Sequence, residues 1–323
     1  MPPASLVAAI HSLTGQGKLA EAANAAMAAI ESHPYDIEVN IACQHLAAWA
    51  SSASRHAIMQ QLCARHRVAG LEQLLDKLTA SFAEHPDRYE LFAAFSTNLC
   101  KQELPELAIQ AFSKVLRPAG PQDVCAGTIV TEYDHSAGEY DEASAHHASI
   151  NAFTTLLGEC LEGPRRHLQV IDAACGSGLA GPTLRPWSER LTGLDLSPAM
   201  LAMAARTGLY DHLVEGDMVA AMRAVPQSAD LVACAGGTYY LRDLVPFLAA
   251  AHTCLKPGGQ VFFADFPALD GMGVMETIGG TFRYCRSAAL TRSLAAEHGF
   301  CELNCVLELS FTLPAFHWHF RKE

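Results

Sequence analysis

The chain has 323 residues, half of them hydrophobic and 17% charged, with a formal net charge of −12 and 15 scattered histidines. That composition specifies a folded protein with room for two domains. Its acidic balance argues against a dominant nucleic-acid or anionic-membrane role. No apolar run approaches the ~20 residues of a membrane span, and the start MPPASLVAAIHSLTGQGK lacks the basic region and long apolar stretch of a leader. The 11 cysteines are odd in number and include no C-x-x-C pair. Cys301 and Cys305, the nearest pair, would share one face of a strand and read as buried free thiols. A reduced cytoplasm and no metal site follow as expectations.

Residues 1–120 read as an all-α domain, rich in Ala, Leu, Glu and Gln. GKLAEAANAAMAAIESHP sets Ala22, Ala26 and Ala29 on one helical face before Pro34, so a neighbouring helix can approach closely. LPELAIQAFSKVLRPAG repeats the pattern with Ala108, Phe112 and Val115, and a weaker copy ends at Pro86. These segments resemble tetratricopeptide repeats; a plain helical bundle is the alternative. Either form suits packing, docking or dimerisation and carries no visible chemistry. Arg117 to Asp123, RPAGPQD, reads as a linker.

Residues 121–323 form the second expected domain. TIVTEYDHSAGEYDEASAHH comes first, and from His167 strands and helices alternate. HLQVIDA reads as a strand and GLAGPTLRPWSER as a helix. LTGLDLS is a strand, then SPAMLAMAARTG a helix with Ser197 as N-cap and Pro198 in its first turn. HLVEGD and ADLVACAGG are strands, LRDLVPFLAAAHTCL a helix, KPGG a turn and QVFFADF a buried strand. SAALTRSLAAEHG is the last helix, before CELNCVLELS and FHWHFR as closing strands. Repeated strand–helix units specify a parallel sheet covered on both faces.

VIDAACGSGLAG, Val170 to Gly181, contains a G-x-G-x-x-G loop. Such a loop holds a pyrophosphate in dinucleotide sites, but Asp172 stands four residues before its first glycine. A carboxylate there opposes two phosphates at a helix N-terminus and attracts a ligand with cationic groups. S-adenosylmethionine, with a sulfonium and an ammonium, meets that requirement.

DAACGSG, the acid Asp195 ending the next strand, and GDM at Gly216 to Met218 together resemble the class I S-adenosylmethionine-dependent methyltransferases, from about Thr131 to Glu323. The resemblance implies a Rossmann-like sheet with a closing antiparallel strand pair. It implies that Asp195 bonds both ribose hydroxyls, a charge-assisted contact, and that Asp217 accepts from the adenine amino group. The implied cofactor set is Asp172, Ala174, Gly176, Gly178, Asp195, Leu196, Met200, Gly216, Asp217, Met218 and Ala235, with Tyr133 or Tyr140 covering the methionine end. Ala174 departs from the family's glycine. The run Arg206–Asp211, RTGLYD, is similar to bacterial methyltransferases that carry an N-terminal repeat region.

Methyl transfer is an in-line displacement, so the acceptor must be held near the methyl, and a base assists where a proton has to leave. The acceptor wall is expected at Ala235–Leu241 and Phe266–Arg286. Tyr239 and Tyr240 line that wall or pack beneath the next helix, and His135, His146 and His147 are alternative bases. GMGVMETIGGTFRYCRS reads as a glycine-rich lid, with Arg283 and Arg286 either clamping an acidic acceptor or solvated. The leading expectation is transfer from S-adenosylmethionine to a small molecule, the helical domain shaping the pocket or mediating a homodimer or protein contact. The alternatives are a protein methyltransferase whose repeats present the substrate, an NAD-dependent oxidoreductase, and a catalytically silent scaffold.

Overall fold

A computed structural model describes residues 1–33, 36, 38–39, 42–43, 46, 68–81, 88–101, 103–121, 123–140, 144–161, 167–278, 282–310 and 313–323. The chain divides into two compact units, Met1–Val115 and Leu116–Glu323.

The described part of the first unit is helical: α1 (Pro3–Gly15), α2 (Leu19–Ser32), α3 (Val68–Ser81), α4 (Arg88–Lys101) and α5 (Pro105–Ser113). Ala22, Ala26 and Ala29 are fully buried on one face of α2, as their spacing requires. Helix α1 packs on α2, and α4 on α5. The second pair is also tied by a bond from Ser96 Oγ to the Ala108 carbonyl at 2.7 Å.

The second unit runs β1 (Leu116–Pro118), α6 (Ala126–Tyr140), α7 (Ser144–Cys160), β2 (Leu168–Ala173), α8 (Gly181–Leu184), β3 (Ser188–Asp195), α9 (Pro198–Arg206), β4 (His212–Glu215), α10 (Met218–Arg223), β5 (Ala229–Cys234), α11 (Val245–Cys254), β6 (Leu255–Pro267), β7 (Met275–Thr277), β8 (Tyr284–Arg286), α12 (Ala288–Glu297), β9 (Phe300–Ser310) and β10 (Leu313–Lys322). The main sheet has the order β4-β3-β2-β5-β6-β10-β9. Every pairing is parallel except those of β10, which is antiparallel to both β6 and β9. This is the expected parallel sheet with its closing antiparallel pair.

Strand β5 and the later parts of β2 and β6 are almost continuously buried, the signature of a sheet covered on both faces. Phe153 and Leu157 of α7 join Val170, Leu231 and Phe262 in one core. On the other face Phe247 of α11 meets Phe263 edge-on, ring centres 5.6 Å apart. Strand β10 alternates accordingly: Trp318 and Phe320 lie with Phe263, while His319 stacks on Phe262 at 3.9 Å. Burial pushes both His317 and His319 down to about 4, so they stay neutral core residues.

Three expectations change. The helix read over GLAGPTLRPWSER is only the four residues of α8, and Ser188 already begins β3. Arg185 enforces the break: its guanidinium donates to the Ser188, Glu189 and Leu209 carbonyls and to Asp211. KPGG lies inside β6, where the register with β5 shifts and Gly258 has φ +76°. The segment read as a linker belongs to the second unit. There β1 pairs with β7, and Glu276 accepts from Arg117 Nε at 2.7 Å and from the Gly120 amide at 3.1 Å.

Candidate active site

The order reverses at β2: the chain leaves it for β3 on one side and later returns to β5 on the other. Strand ends on either side of such a reversal diverge and leave a crevice at their carboxyl ends. Here the loops after β2 and β5 meet closely, for a Cβ built on Gly237 would lie 2.7 Å from Ala174 Cβ and 3.0 Å from Cys234 Sγ.

Ala174, Gly176 and Gly178 turn the loop after β2 through the left-handed region, with φ of 55°, 54° and 93°. Asp195 anchors it: one carboxylate oxygen accepts from the Gly176 amide at 2.8 Å, the other from the Ser197 amide at 2.9 Å. Each oxygen has two lone pairs, so capacity for further donors remains. Ser197 caps α9 by accepting from the Met200 amide at 3.0 Å, and its hydroxyl donates to Asp134 of α6 at 2.5 Å. Asp217 caps α10 through the Ala220 amide at 2.8 Å.

Asp172 is the most perturbed acid of the group. It is buried, and its Oδ2 accepts from the Tyr210 hydroxyl at 2.7 Å. Burial pushes its carboxyl up to about 7; Tyr210 offsets this in part, and the charge of Asp195 adds to it. Asp195 is likewise raised by burial, against the pull of the Ser197, Gly176 and Leu196 amides.

These elements enclose a cleft of about 240 Å³. Asp172, Ala174, Gly176, Asp195, Leu196, Gly216, Asp217, Met218 and Ala235 line it from the sheet side, and Tyr133 from α6. Gly178 and Met200 lie off the cleft: Gly178 packs on Tyr210, and Met200 is fully buried in α9. The side chains of Tyr140, His146 and His147 lie outside the described residues. Among the described lining residues there is no lysine, arginine or histidine, while three are carboxylates.

Tyr240 also lines the cleft, and its hydroxyl pairs with that of Tyr133 at 3.0 Å. Tyr239 is buried beneath it, packed on Tyr240 and Phe266 with the Arg283 guanidinium 4.8 Å above its ring. Of the two alternatives open for this pair, Tyr240 takes the wall and Tyr239 the packing. His135 is exposed on α6 and Arg283 is buried; neither lines the cleft. Arg286 is no substrate clamp: it is 1% exposed and donates to both oxygens of Asp265, at 3.0 and 2.8 Å. The segment read as a lid contains β7 and β8, which bind it into a sheet.

Several lining residues carry no sequence signal, among them Val124 before α6, Ala126 and Ile129 in its first four residues, and Ile150 of α7. An apolar residue on a helix face looks the same whether it meets core or cleft.

Residues 171–263 match the family model of a methyltransferase domain. That segment runs from the second half of β2 through most of β6 and includes all three cleft acids. A malonyl-[acyl-carrier protein] O-methyltransferase of Serratia marcescens is 26% identical over 156 residues, 48% of this chain and 57% of the relative. A ubiquinone biosynthesis O-methyltransferase of Stutzerimonas stutzeri is 34% identical over 101 residues, 30% of this chain and 43% of the relative. The chain thus spans about half the length of the curated relatives it matches. Among solved structures, the Burkholderia thailandensis 1,6-didemethyltoxoflavin-N1-methyltransferase is 16% identical with a TM-score of 0.47, covering 64% of this chain and 94% of its own.

Proposed function

We propose that the protein is an S-adenosylmethionine-dependent methyltransferase acting on a small-molecule acceptor. One observation carries the reading: a switch-point cleft rimmed by Asp172, Asp195 and Asp217, with no cationic residue among its described lining. Bringing a pyrophosphate there would set two negative charges against these carboxylates. A ligand with an ammonium and a sulfonium instead relieves the penalty that burial imposes on Asp172. The residues present therefore fit that cofactor and disfavour NAD.

When bound, the cofactor supplies an electrophilic methyl. Asp195 would accept from its ribose hydroxyls, Asp217 from its adenine amino group, and Asp172 would answer the ammonium of its methionine end. Tyr133, Tyr240, Ile129 and Leu241 form the remaining wall, where an acceptor with a flat apolar body and a polar edge finds both packing and hydroxyl partners. Approximation is the main contribution of this wall. The helical unit, read as tetratricopeptide-like, serves acceptor capture or self-association, and the cytoplasm is the setting.

Calorimetry with S-adenosylhomocysteine and with NADH tests the reading. The unaltered protein is expected to bind the first and not the second. Asp195→Ala should weaken the first by on the order of a hundredfold, the loss of two charge-assisted bonds. Tight NADH binding, or an unchanged affinity in the variant, would refute it.

A further inference from the structure

Tyr210 lies between α9 and β4, in the run RTGLYD that none of the roles above uses. Its ring occupies space that three glycines leave free. A Cβ built on Gly178 would lie 3.0 Å from Tyr210 Cε2, and one on Gly193 3.0 Å from its Cδ1. On Gly181 it would lie 3.2 Å from the hydroxyl oxygen and 3.3 Å from Cε2. The second and third glycines of the G-x-G-x-x-G loop, which in a dinucleotide site serve phosphate approach and helix packing, here make room for a tyrosine. From that wedge the hydroxyl reaches Asp172 Oδ2 at 2.7 Å.

We infer that Tyr210 is a positioning residue of the cofactor site: seated among Gly178, Gly181 and Gly193, it holds the Asp172 carboxylate in place for the ammonium group at the amino-acid end of the ligand. The inference rests on the proposed cofactor but concerns a residue that touches no ligand. Its chemistry is one-sided. An O–H that donates to a carboxylate favours the charged form, and it is the charged form that attracts a cation. The other titratable groups facing Asp172 cannot substitute. Asp195 repels its charge, and the Cys175 and Cys234 thiols are themselves pushed up by burial and stay protonated, Cys234 at about 12. Tyr210 is also pushed upward by burial and by Asp172, so it remains a donor throughout the neutral range.

Tyr210→Phe keeps the ring in its wedge and removes only the donor. The test is calorimetric binding of S-adenosylhomocysteine from pH 6 to pH 9 to the full chain, its Tyr210→Phe variant and its Asp172→Asn variant, with circular dichroism to confirm folding. In the unaltered protein affinity should fall below a midpoint near pH 7, where Asp172 takes up its proton. The Tyr210→Phe variant should bind about tenfold more weakly at pH 7, with its midpoint moved to higher pH and affinity regained toward pH 9. Asp172→Asn should bind weakly at every pH. A variant whose affinity and midpoint are unchanged, or whose affinity drops equally at all pH values, overturns the role and leaves the cofactor reading intact. Failure of the unaltered protein to bind at any pH overturns both.

Discussion

Two buried carboxylates, two strands apart in the sheet, make an instructive pair. Asp265 on β6 and Asp172 on β2 are each 1% exposed, and burial raises both. Asp265 has an internal counter-charge, the Arg286 guanidinium, which meets both its oxygens. Among the described residues Asp172 has only a neutral hydroxyl, and the charge of Asp195 makes its position worse. The fold supplies a cation where the acid is a strut between β6 and β8. It withholds one where the acid lines a cleft. An uncompensated buried charge is expensive, so its persistence at a sheet switch point marks the place where a ligand brings the missing positive charge.

The sharpest way to break this comparison is to make the two acids alike. Arg286→Met removes the cation from Asp265 and leaves a carboxylate stranded in the core. Stability should fall by about 3–5 kcal/mol, read as the midpoint of denaturant unfolding. Adding Asp265→Asn should restore much of the loss, since the stranded charge rather than the missing contact carries most of it. A single-variant loss below about 1 kcal/mol would mean that Asp265 is not held as described, and the contrast with Asp172 would lose its basis.

That strut also shows where sequence reading stops. The acids Asp172, Asp195 and Asp217 are legible because each ends or follows a strand in a strand–loop–helix unit with turn and cap signals beside it, as at Ser197–Pro198. The main sheet is legible for the same reason, its buried strands being continuous apolar runs. Arg286 is not, because nothing in the local sequence tells a solvated arginine from one meeting an acid 21 residues earlier. Strands β1, β7 and β8 have three residues each, too few for a period to register. The start of β3 reads as helix because Ser188, Glu189 and Arg190 are polar; only the partners of Arg185 show why the helix ends before them. Tyr210 leaves one trace, the spacing of glycines at 178, 181 and 193, and that trace becomes meaningful only when the ring that fills the space is seen.

A smaller effect sharpens the contrast through pH. The folded-state carboxyl of Asp172 titrates at about 7, well above the usual carboxylate range. A raised carboxyl contributes stability that is fully present below its unfolded value and is lost as pH rises through the folded one. In the ligand-free protein this group therefore destabilises progressively from about pH 4 to pH 7, and Asp195 acts in the same direction. A ligand whose ammonium group meets Asp172 reverses that cost only where Asp172 is charged. The rise in melting temperature on adding saturating S-adenosylhomocysteine should consequently be larger at pH 8 than at pH 6, equivalent to about a tenfold difference in affinity. Asp265, already paired, should contribute nothing to that difference. A ligand shift independent of pH would place the recognition elsewhere than on Asp172.

The smallest expected effect tests whether charge or shape governs the cleft. Ala174 sits at φ +55°, a conformation that strains a side chain, and its methyl fills the gap facing Gly237. Ala174→Gly relieves roughly 1 kcal/mol of local strain but loosens the unfolded chain by about 0.4–1 kcal/mol in the opposite sense. The two nearly cancel, so the melting temperature should move by no more than about 2 °C. No charge changes, so if the carboxylates do the recognising, affinity for S-adenosylhomocysteine should stay within about threefold. The methyl lines the cleft, however. An affinity change as large as that of Asp195→Ala would mean that the backbone's closeness to the ligand, set by this one side chain, governs binding. The acids would then be secondary, and the contrast between Asp172 and Asp265 would describe the protein's stability without explaining its selectivity.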